Sequence, residues 1–360
     1  MGENLVVLRR PASFLDLTLA LAAVAVGLLH ARPALSSPAV PAKDVDPYAR
    51  VRGVMVSCPR AGLEWGSDDM VHTLGILHDL GVNWVSIHPY GGLADDGTVG
   101  HSRIDRLYDD PSWLQRAIRE AHAKGLKIAI TPHLAYWRTR FSYRSEICFD
   151  DDASWRRFFD TYQEFIVKIA DLSKDADALV VGSELDGTIQ HDAEWRHVIA
   201  AVRGTFHGPI TYASGWDAYQ RVKFWDALDV VCVDGYFPLV DHDGMPTDAE
   251  LQRGWANVAA ELDAFGKRTG RHVVLGELGY NRSMQAAVRP WDYREDDDPR
   301  AEQLQTRCLD TALHAIAKSD TVVGAFLWKW LPGEDPDDNF LASTPAMQKV
   351  IAKNWGARSP

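Results

Sequence analysis

The chain has 360 residues, of which 46% are hydrophobic, and it carries a formal net charge of −12 at pH 7 with a pI near 5.5. This length suffices for one large domain or two small ones, and for a substantial buried core. The acidic balance disfavours binding to nucleic acid or to an anionic membrane surface.

Residues 1–42 have the composition of a targeting segment. Arg9 and Arg10 precede an apolar run over residues 14–29, and prolines and small residues follow up to residue 42. This order predicts a signal peptide with a short linker, and hence export to the periplasm or the extracellular space. The run is shorter and less apolar than the stretch of about 20 residues that spans a bilayer. A retained N-terminal membrane anchor is the alternative.

From residue 50 onward, short apolar runs alternate with amphipathic stretches. The runs predict strands over residues 53–57, 82–87, 127–131, 178–184, 209–213, 229–233, 273–277 and 322–327. The amphipathic stretches predict helices over about residues 67–80, 112–124, 155–169, 192–203, 218–228, 248–265, 300–316 and 345–353.

This alternation indicates parallel strands that are joined by crossover helices. Eight such units in about 300 residues predict an α/β fold, a single (β/α)8 TIM barrel over residues 50–357. An open, doubly wound sheet is the alternative. The glycine-rich nucleotide-binding motifs that are typical of such sheets do not occur in the sequence.

Two glutamates stand where predicted buried strands end. Glu184 closes the fourth strand after Gly182 and Ser183, and Glu277 closes the seventh strand directly after Gly276. In a parallel barrel the carboxyl ends of all strands meet at one rim, which is where barrel active sites lie. Two carboxyls on one rim are what glycoside hydrolysis needs, one as the acid and the other as the nucleophile or base.

Further polar and aromatic residues collect at the same predicted rim. Tyr90 and Asp234 belong to this set. Singly, each is more often a structural residue, but their accumulation on one rim favours a binding site. The candidates for substrate contact are His88, His133, Trp137, Ser183, Trp216, Tyr236, Trp328 and Trp330.

Four segments together resemble the large clan of retaining (β/α)8 glycosidases and, within it, glycoside hydrolase family 113, whose known members are β-mannanases. They are Thr131-Pro132-His133-Leu134, Val181-Gly182-Ser183-Glu184-Leu185, Val233-Asp234-Gly235-Tyr236-Phe237-Pro238-Leu239 and Leu275-Gly276-Glu277-Leu278-Gly279-Tyr280. The resemblance implies that Glu184 is the acid/base and Glu277 the nucleophile. It also implies that Tyr236 hydrogen-bonds the nucleophile and that Trp328 forms the floor of the subsite at the cleaved bond.

One position departs from the pattern of the clan. Most members have Asn directly before the acid/base, where it holds the 2-hydroxyl of the sugar, whereas this chain has Ser183. The shorter hydroxyl leaves the acid/base assignment in place. It does, however, leave the 2-hydroxyl contact, and so the preferred sugar, open.

The expected function is therefore cleavage of β-1,4-linked mannan or manno-oligosaccharides by a retaining endo-β-mannanase. An exo-β-mannosidase, a β-glucanase or a non-catalytic glycan-binding barrel are the alternatives. We expect a poly- or oligosaccharide as the partner, a monomer, and chemistry that requires neither a metal nor an organic cofactor. Of the four cysteines, Cys232 and Cys308 are expected to be buried, whereas Cys58 and Cys148 lie in predicted loops where a disulfide is one alternative.

Overall fold

Eight parallel strands close into a barrel in the computed structural model, which describes residues 50–100, 102–333 and 339–356. Ten strands are present in these ranges, and β3 and β5 pair with each other outside the barrel. The strands are β1 (Val51–Val56), β2 (Trp84–Ile87), β3 (Tyr90–Gly92), β4 (Lys127–Ile130), β5 (His133–Ala135), β6 (Ala178–Ser183), β7 (Ile210–Gly215), β8 (Val231–Asp234), β9 (Val273–Leu278) and β10 (Val322–Trp330). The closed order is β1-β10-β9-β8-β7-β6-β4-β2, which confirms the predicted TIM barrel.

Helices cover the outside of the barrel, each with an apolar face toward the strands. In the longest of the early helices, α3, the residues Phe158, Tyr162, Phe165 and Ile169 are buried at a spacing of three to four positions. The α-helices in the described ranges are α1 (Asp68–Asp79), α2 (Ser112–Ala123), α3 (Asp152–Leu172), α4 (Asp192–Arg203), α5 (Asp248–Thr269), α6 (Pro299–Ile316) and α7 (Pro345–Trp355).

The helix that was expected over residues 218–228 is not an α-helix. The chain forms two short 3-10 turns there, Tyr219–Arg221 and Trp225–Ala227. Val222, between the two turns, has an extended backbone (φ −67°, ψ 126°), which interrupts any continuous helix. The buried Trp225 indole donates to the Tyr219 carbonyl at 2.9 Å and so joins the second turn to the first.

The interior of the barrel is a packed core. Side chains from six strands form a compact apolar cluster inside it: Ala129, Val180, Ala213, Cys232, Val274 and Phe326. These side chains fill the interior of the barrel, so it is not a pore. In barrels of this kind the active site lies at the rim where the carboxyl ends of the strands meet.

A two-stranded parallel sheet extends the rim beyond β2 and β4, and the sequence did not predict it. Tyr90 of β3 pairs with His133 of β5, and Gly92 pairs with Ala135 two residues further on. Each of these strands follows a barrel strand after a short break that contains a proline, Pro89 or Pro132. Because proline has no backbone N–H group to donate to a neighbouring strand, the hydrogen bonding of the barrel strand is interrupted there, and the chain can change direction.

The N-terminal signal segment lies outside the described residues, so it stays a prediction. Within residues 50–100, 102–333 and 339–356, no helix is long and apolar enough to cross a membrane. The thiols of Cys58 and Cys148 are free rather than joined in a disulfide, and Cys232 and Cys308 are buried as expected.

Candidate active site

Glu184 is the first residue beyond β6, and its backbone is unusual. Its φ angle is +51°, which lies in the left-handed region that residues other than glycine seldom adopt. The turn is fixed on both sides, because the Glu184 amide donates to the Ala213 carbonyl at 2.8 Å and the Leu185 amide donates to the Tyr212 hydroxyl at 2.9 Å. Strained backbone that neighbouring contacts hold in place is typical of functional positions.

Two consecutive residues of the long loop after β5, Tyr143 and Arg144, donate hydrogen bonds to the Glu184 carboxylate. The Nε and Nη2 atoms of Arg144 lie 2.9 and 2.8 Å from Glu184 Oε2, and the Tyr143 hydroxyl also donates to Oε2. Arg144 is itself buried, with 7% of its surface exposed. All of these bonds use one oxygen. Within the described part of the chain Oε1 has no hydrogen bond, so it is the oxygen that can face a substrate.

Glu277 lies on β9, next to β8 and on the same rim. The Tyr236 hydroxyl donates to Glu277 Oε2 at 2.6 Å, as the family resemblance implied. His133 Nε2 lies 3.9 Å from the other oxygen, Oε1. Glu277 is almost fully buried, with 4% exposed. The described residues provide no hydrogen bond to Oε1, so this oxygen is available to a substrate.

His133 connects the two glutamates and has a defined tautomer. Arg144 Nη1 lies 3.2 Å from His133 Nδ1. A guanidinium can only donate, so Nδ1 is the acceptor and the proton of the neutral ring is on Nε2, toward Glu277. Burial and the positive charge of Arg144 hold the pKa of His133 well below its usual range, so the ring is neutral. Glu184, Arg144, His133 and Glu277 thus form one continuous row.

Aromatic rings line the site beside His133. The ring of His88 stacks on that of His133 with centroids 4.7 Å apart, and Trp328 lies 5.6 Å from His88. Burial lowers the pKa of His88 to about 3, and its Nε2 atom lies 2.9 Å from the hydroxyl of Ser57. Trp328 is the first residue of a cis peptide bond with Lys329. The structure therefore brings His88, His133 and Trp328 into one cluster of rings, and His133 and Tyr236 are the two residues of the predicted set that lie next to Glu277.

Asp234 places a third buried carboxyl beside Glu277. Burial and the nearby charge of Glu277 raise the pKa of Asp234 well above its usual range. Burial and the charge of Glu184 raise the pKa of Glu277 as well, while Arg144 and the bond from Tyr236 oppose that rise. Neighbouring buried carboxyls do not both ionise readily, and donors decide which one keeps the charge.

The donors favour Glu277 as the ionised member of this pair. Glu277 accepts a hydrogen bond from Tyr236, whereas neither oxygen of Asp234 has a hydrogen-bond partner among the residues that the structure describes. Asp234 is therefore the protonated one. Gly276 makes room for it, because a Cβ atom at that position would lie 2.7 Å from Asp234 Oδ1.

The other predicted contact residues differ in their exposure and in their neighbours. The Ser183 hydroxyl is buried and has no hydrogen bond to any described residue, so it can bind a substrate hydroxyl. Trp137 is 57% exposed and lies against Tyr90, and Trp216 stacks on the exposed Trp291 with centroids 5.2 Å apart. Trp330 packs in the apolar core with 4% exposed, which favours a structural role.

Comparison with known proteins identifies the family. The model of Glycoside Hydrolase Family 113 matches residues 59–339. The chain belongs to this family. Family 113 membership makes the protein a glycoside hydrolase with a carbohydrate substrate. No curated protein matches the sequence.

Solved structures of family 113 enzymes are similar to this barrel. The β-mannanase from Alicyclobacillus acidocaldarius, solved in complex with ManMIm, is 22% identical with a TM-score of 0.73 over 85% of this chain and 97% of that chain. A second structure, a β-1,4-mannanase complex, is 20% identical with a TM-score of 0.74 over 86% and 99%. A β-glucuronidase from an uncultured Clostridium sp. is 13% identical with a TM-score of 0.59, and this chain covers 50% of it. Identities this low support the shared fold alone.

Sequence reasoning missed the two residues that hold Glu184. Tyr143 and Arg144 lie in a long loop, far in sequence from either glutamate, and no period or motif marks them. The only signal was the abundance of aromatic residues and arginines between residues 134 and 151. Such a composition indicates that the loop is functional. It does not indicate which of its residues contacts which carboxyl.

Proposed function

We propose that the protein is a retaining endo-β-mannanase that cleaves β-1,4-linked mannan or manno-oligosaccharides. The observation that carries the proposal is the row from Glu184 through Arg144 and His133 to Glu277 on one rim of the barrel. Membership of family 113 and the similarity to β-1,4-mannanases support it.

We assign the two roles from the contacts of each glutamate and from its place in the family pattern. Glu277 keeps Oε1 without a hydrogen bond to the described residues, and it is the ionised carboxyl beside a protonated Asp234, so it serves as the nucleophile. Glu184 Oε1 donates the proton to the glycosidic oxygen, and the same residue then activates water for the second step. For retention, the two carboxyl groups should be about 5–5.5 Å apart.

Mannose differs from glucose in its axial 2-hydroxyl, so the choice of mannose requires a protein group that hydrogen-bonds this hydroxyl. Two buried polar atoms have no hydrogen bond to the described residues. One is the Nε2–H donor of His133, 3.9 Å from Glu277 Oε1, and the other is the hydroxyl of Ser183, directly before Glu184 in the chain. A site that is built to hydrogen-bond one hydroxyl rejects sugars that misplace it, because its buried polar groups are then left unpaired. These two residues are therefore our candidates for the choice of mannose over glucose.

Internal cleavage requires sugar contacts on both sides of the carboxyl pair. Trp137 follows β5 on one side of the rim, and Trp216 with Trp291 lies beyond β7 and β9 on the other. Two of these rings, Trp137 and Trp291, are 57% and 42% exposed. Exposed tryptophans on both sides favour an extended chain over a single terminal sugar. The alternatives are an exo-β-mannosidase and a β-glucanase on the same fold.

The test is a comparison of substrates and products. We expect a specificity constant on mannohexaose at least tenfold above that on cellohexaose, with products of intermediate length appearing first. The Glu277→Gln variant, purified in the same way, excludes contaminating activity. A preference for cellohexaose would favour the β-glucanase, and release of single mannose units alone would favour the exo-enzyme.

A further inference from the structure

A cavity of about 360 Å³ lies beside the candidate active site and is not used by the chemistry above. It begins where the small outer sheet ends, at Gly92 and Ala135. Tyr90 and His133 form the pair at the other end of the same ladder. A strand rises about 3.3 Å per residue, so the cavity begins roughly 7 Å beyond His133 along the sheet.

Trp137 forms one wall of the cavity and connects it with the site. Its ring lies 4.9 Å from that of Tyr90, which in turn lies 6.0 Å from the ring of His133. The Trp137 side chain is 57% exposed, and apolar side chains such as Leu93 and Leu107 also line the cavity. A chain of sugars that leaves the glutamate pair along this sheet therefore meets an aromatic face.

Two arginines line the same cavity without a counter-ion. The guanidinium groups of Arg103 and Arg138 have neither a hydrogen bond nor an ion pair with any residue in the described part of the chain. Other exposed arginines, such as Arg119 and Arg253, also have no ion pair with a described residue, but neither of them lines this cavity. The feature that favours an anionic ligand is that two arginines without a counter-ion among the described residues line one cavity together with an exposed tryptophan, in a protein with a net charge of −12.

The nearby carboxylate does not neutralise these arginines. Asp105 accepts hydrogen bonds from the Gly92 amide and from the amide and hydroxyl of Ser102. These bonds hold the turn that carries Arg103 at the mouth of the cavity. Among the described residues that line the cavity, none is an Asp or a Glu.

We propose that this cavity is a glycan subsite for an anionic sugar unit, in the first place one that carries a carboxylate. The planar guanidinium groups match a carboxylate with paired N–H donors, and the Trp137 ring takes the apolar face of the same sugar or its neighbour. The proposal rests on the proposed function, since it assumes that the glutamate pair cleaves a glycan. It refines the substrate class to mannan-type chains that carry acidic units.

Binding is measured by calorimetry on the full chain with the Glu277→Gln substitution, so that no cleavage occurs. The titrants are a neutral manno-oligosaccharide, one of equal length that carries glucuronic acid, and one that carries a phosphomonoester. Each is titrated into the Glu277→Gln protein, into the same protein with Arg103→Gln and Arg138→Gln, and into a control with Arg253→Gln. Arg253 lies on α5 and is exposed, and its substitution removes one of the two positive charges that the double variant loses.

The glucuronate ligand should bind more tightly than the neutral one, and added salt should weaken only the charged ligands. The double arginine variant should bind the glucuronate ligand roughly tenfold more weakly, with less than a twofold change for the neutral one. Tighter, arginine-dependent binding of the phosphorylated ligand would keep the anionic subsite and assign phosphate as its anion.

Equal binding of charged and neutral ligands, or an equal loss with Arg253→Gln, would overturn the proposal. This outcome is distinct from failure of the proposed function, in which the neutral manno-oligosaccharide would not bind to the site or be cleaved by the unsubstituted enzyme.

Discussion

At the scale of single residues, Glu184 and Glu277 differ in the donors around each carboxyl. Arg144 and Tyr143 occupy one oxygen of Glu184 and leave the other toward the substrate. Glu277 is held by Tyr236 on one side and faces the Nε2–H group of His133 on the other. Each glutamate therefore has its own set of donors, and single substitutions can test the role that we propose for each.

The acid/base role of Glu184 predicts a chemical rescue. A Glu184→Ala variant should lose most activity on mannohexaose but retain turnover of an aryl mannoside with a good leaving group, because such a group departs without a proton. Azide should raise its rate and yield a glycosyl azide, which chromatography detects. Glu194→Ala, an exposed change on α4, is the control. Equal loss on both substrates with no effect of azide would contradict the role.

The protonated state of Asp234 predicts how stability depends on pH. The pKa of Asp234 is raised in the folded protein, so folding takes up a proton at any pH between the unfolded and folded values. This uptake costs the wild type about 1.4 kcal/mol for each pH unit above the unfolded value of about 3.9. An Asp234→Asn variant avoids that cost.

The gain in the free energy of unfolding of Asp234→Asn over the wild type should therefore grow from pH 4 to pH 7. Urea denaturation at several pH values measures it. Asp320→Asn, an exposed substitution of the same kind, should show no such trend. A gain that stays constant or shrinks with rising pH would show that Asp234 is ionised in the folded protein.

At the scale of elements, the end of β6 packs tightly against aromatic rings of α4 and β7. A Cβ atom on Gly182 would lie 2.7 Å from the Trp195 ring and 2.9 Å from the Tyr212 ring. Tyr212 also holds the Leu185 amide, directly after Glu184. Displacing this ring therefore moves Glu184 as well as the core.

Gly182→Ala should accordingly lower the free energy of unfolding by about 1–3 kcal/mol and lower kcat more than it raises KM. Gly75→Ala is the matched control, because a Cβ atom there lies 4.0 Å from the Lys124 Nζ atom and meets nothing closer. We expect that control to be neutral or slightly stabilising. Unchanged stability and kcat in Gly182→Ala would contradict the tight fit.

The sequence was informative about this fold where a local pattern decides the structure. Glu184 and Glu277 follow buried apolar runs, and in a parallel barrel the ends of such runs must share a rim. By contrast, Arg144 reaches its place through a loop whose path depends on tertiary contacts. The segment over residues 218–228 has a partly helical pattern, yet the extended backbone at Val222 divides it into two short turns, which a hydrogen bond from the Trp225 indole to the Tyr219 carbonyl joins. The protonation of Asp234 depends on neighbours from other strands.

At the scale of the whole molecule, the predicted export concerns residues 1–42. The basic start, the apolar run over residues 14–29 and the small residues after it motivate the proposal that this segment is removed on secretion. The mature chain should begin between about residues 31 and 43, which N-terminal sequencing of secreted protein would show. An intact Met1 would favour a retained anchor or a cytoplasmic protein.

The assignment of Glu277 as the nucleophile of a retaining enzyme is tested most directly by trapping its covalent intermediate. The protein is incubated with a 2-deoxy-2-fluoro mannoside that has a good leaving group, and the labelled peptide is identified by mass spectrometry. We predict one sugar per chain, attached to Glu277, and no label in Glu277→Gln. A label on Glu184, or inversion of the anomeric centre with no label at all, would contradict the account.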